Sequence, residues 1–575
     1  MIESVLLAAV TSATAFHALV DEEWEARLRE EPLLATSVGD HRYDDRLPSV
    51  APAELERGVE RRRATRQRLQ AIDRAGLAVA DRISYDMLDR ELKDDVADHE
   101  FGGWQLPINA DSGFHTGFAE LPRYTTFASA RDYRNYIARL RAFPAYVAQQ
   151  IANMREGLRT GFTLPRIVLD GYDVTIRTHV VDDPEKSVFY APFGSFPPGV
   201  PEGDRARLRA DARSAVMDGA VAGYRAFLDF MVGEYIPKTR TTTAAADLPR
   251  GREYYAHRVR HFTTLDVTPE EVHRIGLAEV ERIRGEMQEV MRGTGFTGDF
   301  PAFLRFLRTD PRFYARTPEE LLKDASFIAK RMDGKLPSLF GRLPRLPYGV
   351  EPVPAHLAPK YTGGRYVSAP VGGTRAGTYW VNTYALESRP LYVLEALTLH
   401  EAVPGHHLQI ALQQEMQGVP PFRRVAEVGA FVEGWGLYSE HLGLEAGFYQ
   451  DPYSNFGRLT YEMWRACRLV VDTGLHALGW SREKAMDFLA ANTALSLHEV
   501  RTETDRYISW PGQALAYKMG ELKIRELRLT AEKELGQRFD VRGFHDAILA
   551  NGPVPLPVLE EQVRAYVSHE KERRP

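Results

Sequence analysis

The sequence predicts a mainly α-helical protein of two lobes with one small β-sheet, and three observations carry that expectation. Apolar residues recur at three- and four-residue spacing through the first third of the chain. Two Thr-Pro-Glu-Glu strings further on have the form of helix starts. Only one segment has the composition of a strand.

The first stripes are Phe16, Leu19, Val20, Trp24 and Leu28, then Tyr133, Ile137, Leu140, Tyr146 and Ile151. Each set falls on one face of a helix, so these are core-facing residues. Two segments rich in Gly, Pro and aromatics, 104–126 and 180–201, are expected as long loops framing a cleft. The polar stretch from Thr241 to Asp247 divides the chain into an N-terminal helical lobe, 1–245, and a second lobe, 246–575. At Thr268-Pro269-Glu270-Glu271 and Thr317-Pro318-Glu319-Glu320, threonine stands at N-cap, proline at N1 and glutamate at N3. The first of these launches Val272, Ile275, Val280, Ile283 and Met287 along one face. The strand candidate is Thr378 to Thr383, just ahead of a helix running from Leu391 to His400. It serves either as an open edge to which an extended peptide adds or as a buried sheet element.

Composition narrows the function. The 575 residues are 44% hydrophobic and 26% charged, with a net charge of -6, which disfavours polyanion binding. Cys467 is the single cysteine, so an intramolecular disulfide, a zinc ribbon and an iron-sulfur site are all excluded, and a metal must be held by His, Asp or Glu. No apolar run approaches the ~20 residues that span a bilayer. The signal-like Val5 to Ala15 stretch is preceded by Glu3 and no basic residue, which favours a cytoplasmic location over a secreted or periplasmic one. The glycines of Gly372-Gly373-Thr374-Arg375 lack the rest of a phosphate-binding loop.

The chemistry concentrates at His400-Glu401-Ala402-Val403-Pro404-Gly405-His406-His407. In a His-Glu-x-x-His helix, both imidazoles share a face and reach one metal while the glutamate serves its bound water. Here two extra residues intervene, and an unbroken helix would turn His406 roughly 240° away from His400. Pro404 and Gly405 are the pair that interrupts a helix, so a zinc site requires the backbone to depart from regular geometry there. With no cysteine available, the third ligand should be a carboxylate, and Glu433 is the candidate because it sits in an otherwise apolar helical segment, Phe431 to Glu440. Glu440 is placed to accept a hydrogen bond from a ligand histidine. Glu401 is the expected general base, and either His406 or His407 the second histidine ligand. Tyr517 and His476 are candidates to donate to the developing oxyanion, and Arg501, Arg506 and Lys518 to bind a substrate carboxylate.

These residues resemble the bacterial family of domain of unknown function 885, through His400 to Gln409, through Glu433 to Tyr438 with Gly436 where the family carries Ala, and through Pro511 to Tyr517. The family is similar to the gluzincin metallopeptidases. The resemblance implies a two-lobed gluzincin-like architecture with a deep central cleft and a small sheet beside the active-site helix. It implies that the insertion is accommodated by a helix bulge, with His400, His406 and Glu433 on Zn²⁺ and Glu401 as base. The expected function is zinc-dependent hydrolysis of small peptides. The alternatives are an amidohydrolase acting on a non-peptide amide or modified amino acid, or an inactive helical binding protein.

Overall fold

The computed structural model describes residues 2–355, 357–369 and 375–572; Gly372, Gly373 and Thr374 lie outside them. The described residues form two compact units. One covers 2–242 and 247–250, the other 243–246, 251–369 and 375–572.

Both units are helical. In the first, Phe16, Leu19, Val20 and Leu28 are buried on the helix Ile2–Glu30, and Tyr133, Ile137, Leu140 and Ile151 on Ala130–Thr160. Trp24 and Tyr146 are half-buried at the margins of those stripes. The segments expected as loops contain short helical turns, Phe114–Ala119 and Leu121–Tyr124 in one and Val188–Phe193 in the other. No described helix is long and apolar enough to cross a membrane.

The second unit holds every candidate site residue. Its helices used below are α1 (Pro269–Gly293), α2 (Leu394–Glu401), α3 (His406–Gln414), α4 (Gly429–Glu445), α5 (Pro452–His476), α6 (Leu497–Ser509) and α7 (Ala516–Leu535). The capping chemistry at the start of α1 is reciprocal: Thr268 Oγ1 accepts from the Glu271 amide at 3.2 Å, and Glu271 Oε2 accepts from the Thr268 amide at 2.8 Å. At Thr317 only half of this forms, because Glu320 turns to the Arg316 amide instead.

Three short strands make one sheet in the order β1 (Tyr348–Pro352), β3 (Gly377–Val381), β2 (Gly364–Val367), with β1 parallel and β2 antiparallel to β3. The predicted strand is β3, which is central and buried. It therefore offers no open edge, and the outer positions belong to β1 and β2.

Helices α4 and α7 pack backbone to backbone. A Cβ on Gly434 would lie 2.6 Å from Gly520 Cα, so only a glycine pair permits this approach. A charged cluster joins α1, α5 and α7 in the interior. Lys518 is fully buried, and its Nζ reaches Glu279 at 3.0 Å, Glu462 at 3.0 Å and Glu521 at 2.8 Å. This corrects the expectation that Lys518 binds substrate, since its ammonium is committed to three carboxylates. Deleting the cation strands those charges, and Lys518→Met is expected to cost about 3–5 kcal/mol, read as a lowered unfolding midpoint in denaturant.

Candidate metal centre

The segment from Leu394 to Gln414 is two helices rather than one. Helix α2 stops at Glu401, Ala402 leaves helical geometry at φ -90° and ψ -111°, and α3 begins at His406 after Gly405 at φ -73° and ψ -129°. The Val403–Pro404 peptide bond is cis. Through the break the backbone stays paired: the Gly405 amide donates to Leu399 O at 3.0 Å and the His407 amide to Ala402 O at 3.1 Å. Trp435 closes the interruption from α4, its indole Nε1 donating to Pro404 O at 2.8 Å.

That break brings the second histidine back. His400 Nε2 lies 3.5 Å and His406 Nε2 3.6 Å from one oxygen of Glu433, and one ligand atom from each of the three residues lies within 4.8 Å of the others. Tetrahedral ligands at ~2.0–2.1 Å from zinc stand ~3.3 Å apart, so a small adjustment seats the ion. His400 Nδ1 is 2.8 Å from Glu440 Oε1. That bond holds a proton on Nδ1, so that Nε2, on giving up its own proton, presents a lone pair to the cluster. Glu440 is itself buried and neighboured by Arg465 at 3.3 Å. The donor set, two imidazole nitrogens and one carboxylate oxygen in converging positions, fits zinc.

Electrostatics say the same thing in another way. Burial opposes charge on His400, but hydrogen bonds to Glu433 and Glu440 outweigh it and push its pKa up to about 10. Burial likewise opposes charge on Glu433, and its bonds to His400 and His406 hold its carboxyl well below the usual carboxylate range. The cluster thus draws positive charge to the point where the three side chains meet. Gly436 matters to this packing: a Cβ there would lie 2.6 Å from His400 Cε1. Glycine at this position leaves room for the imidazole.

His407 goes elsewhere. Its Nδ1 meets the Tyr366 hydroxyl at 2.9 Å, its ring lies tilted at 4.5 Å from that of Tyr348, and burial pushes its pKa down to about 4. It is a neutral strut between α3 and the sheet, and His406 is the residue that faces Glu433.

Glu401 stands beside the cluster on the other side. Its Oε2 accepts from the Tyr366 amide of β2 at 2.8 Å, while Oε1 makes no hydrogen bond among the described residues. Tyr517, in the first turn of α7, has its ring 4.2 Å from the Arg468 guanidinium and its hydroxyl 3.4 Å from Arg506. His476 is a correction. Fully buried at the end of α5, it accepts at Nδ1 from the Ala245 amide and donates from Nε2 to Tyr507 O, both at 2.9 Å. With both nitrogens bonded to backbone it pins chain segments and has no proton to offer an oxyanion. Of the predicted carboxylate binders, Arg501 is exposed and has no partner among the described residues, and Arg506 holds Gln513 at 2.7 Å.

Three residues near Glu401 and Glu433 went unnamed in the sequence. Tyr366 positions Glu401 and braces His407, Arg365 precedes it on β2, and Glu427 enters the field of Glu433, Arg365 and His406 from the chain before α4. The signal available for the first two was a four-residue strand opening on a glycine pair, too short to stand out.

Among curated proteins none matches the chain in sequence. Solved structures do. A protein from Colwellia psychrerythraea, provisionally called a lipoprotein, is 27% identical with a TM-score of 0.90, covering 97% of this chain and 100% of its own. Another from Shewanella oneidensis, called a lipoprotein of unknown function on the same provisional footing, is 18% identical with a TM-score of 0.72 over 96% of this chain and 99% of its own, and shares the fold. The model of the family described as bacterial protein of unknown function, DUF885, matches residues 32–563. The helical chain that holds His400, His406 and Glu433 together belongs to the bacterial DUF885 family.

Proposed function

We propose that this protein is a zinc-dependent hydrolase of amide bonds in small peptides, a metallopeptidase of gluzincin-like design. The observation that carries the reading is the convergence of His400, His406 and Glu433 across a broken helix, with Glu401 alongside and outside the ligand set. Bound there, zinc supplies Lewis acidity to the scissile carbonyl and a water of lowered pKa.

The chain's own groups do the rest. The Tyr366 amide fixes one oxygen of Glu401, and the other takes a proton from the attacking water. Glu401 then delivers that proton to the nitrogen of the breaking amide, releasing one carboxylate and one amine. Glu440 keeps His400 in the tautomer that presents Nε2. The Tyr517 hydroxyl is the candidate donor to the carbonyl oxygen as charge develops on it. The Colwellia relative's description as a lipoprotein supports an extracytoplasmic location for this chain too, in place of the cytoplasmic one expected from the composition of its first residues.

Metal analysis tests the centre directly. Protein purified without chelator is expected to carry one zinc per chain, and His406→Ala and Glu433→Gln to carry less than about a tenth of that. Chelation should abolish cleavage of a tripeptide library, and zinc should restore it. A wild-type chain that takes up no zinc, or a zinc-loaded one that cleaves no amide, overturns the proposal.

A further inference from the structure

Arg365 has no assigned role, and its surroundings are unusual for a surface arginine. It lies on β2, directly before Tyr366, whose amide holds Glu401 at 2.8 Å. Strand alternation sends the two side chains to opposite faces. Tyr366 goes inward to His407, and Arg365 goes outward, where solvent reaches it. Its guanidinium makes no hydrogen bond or ion pair among the described residues, its one close neighbour being the Tyr361 ring 5.6 Å away. Burial by surrounding protein opposes its charge, while Tyr361, Glu401 and Tyr517 favour it and Arg506 opposes it. Glu427 lies within the reach of that charge but does not pair with it.

Several arginines in the interior of this unit are neutralised. Arg282, Arg458, Arg468, Arg525 and Arg528 each have a carboxylate partner. The Arg365 guanidinium, unpaired among the described residues and open to solvent beside the strand residue that holds the proposed base, is available to an incoming anion. The planar fork of arginine matches a carboxylate by two parallel N–H···O bonds. Tyr517 and Arg506 stand in the same electrostatic neighbourhood, so the anion would sit between β2 and the start of α7.

Resting on the zinc-hydrolase reading of the neighbouring centre, we infer that Arg365 binds a carboxylate of the substrate, so that the protein acts on short peptides bearing a carboxylate close to the scissile amide. That carboxylate comes either from the free C-terminus or from an acidic side chain.

The test compares matched tripeptides as free acids and as C-terminal amides, with and without an aspartate at the last position, on wild type, Arg365→Gln and Arg365→Lys. Zinc content and melting temperature are measured on each. Wild type should prefer the free acid over the amide by ~10- to 100-fold in kcat/KM, the value of a charge-assisted pair. In Arg365→Gln that ratio should fall to about one with zinc content unchanged, and Arg365→Lys should recover part of it. If the aspartyl amide matches the free acid, the side chain is the source; if only the free acid is preferred, it is the terminus. Calorimetric binding of the same peptides to zinc-loaded Glu401→Gln separates this inference from hydrolysis itself: acid over amide binding that vanishes on adding Arg365→Gln supports Arg365 even where no bond is cut. Cleavage with no acid preference, or a preference that survives Arg365→Gln, overturns the inference and leaves the hydrolase reading standing.

Discussion

Glu401→Gln should keep its zinc and lose about 10²- to 10⁴-fold in kcat on any peptide the wild type cleaves. The substitution is nearly isosteric, and the glutamine carbonyl can still accept the Tyr366 amide now bonded to Glu401 Oε2. What it lacks is a lone pair on the second terminal atom with which to take a proton. Because Glu401 is not among the three converging ligands, the metal count should stay at one per chain. KM should move little, since the lost interaction belongs to the transition state and not to substrate binding. Full activity in zinc-replete Glu401→Gln would place the base elsewhere and remove the centre of the mechanism.

Gly405→Ala should damage the fold and the metal centre together. A Cβ at this position would lie 1.9 Å from His400 O, 2.5 Å from His400 C and 2.6 Å from Leu399 O. All three are backbone atoms of α2, so no side chain can swing aside to make room, and relief requires α2 and α3 to separate. The expected cost is about 3 kcal/mol or more. Since His406 is the next residue, any separation also carries its imidazole away from Glu433, and zinc content should fall with the melting temperature. Gly285→Ala is the control: it sits on α1 with nothing within 4 Å of its added Cβ, and it should be neutral or slightly stabilising. A Gly405→Ala protein that melts with wild type and binds zinc fully would show that the break is not fixed in this form.

The sequence was most legible where chemistry is local. Thr268 and Glu271 cap their helix through groups three residues apart, and Pro404-Gly405 announces a break because proline and glycine act on their own backbone. The pairing of β1 and β2 around β3 was invisible, since four- and five-residue strands carry little pattern and their partners are fixed by distant contacts. Side-chain roles failed for the same reason. Lys518 looked available to substrate because two of its carboxylates, Glu279 and Glu462, arrive from other helices. His476 looked like a donor because its partners are backbone groups of Ala245 and Tyr507, which have no residue signature. The choice between His406 and His407 rested on where α3 restarts: adjacent helical residues differ by ~100°, so one faces Glu433 and the other faces the sheet.

Trp435 gives the centre a built-in optical gauge. The indole is fully buried and follows Glu433 by two positions on α4, while its one polar atom is fastened to Pro404 O, two residues ahead of His406. A fluorophore is thus strung between the segments that carry His406 and Glu433. Any movement that spreads those segments lengthens a single desolvated hydrogen bond on a chromophore whose emission responds to that bond. If the cluster takes up zinc as proposed, the event should register in the Trp435 share of the emission, read as the change that Trp435→Phe removes among the seven tryptophans of the chain.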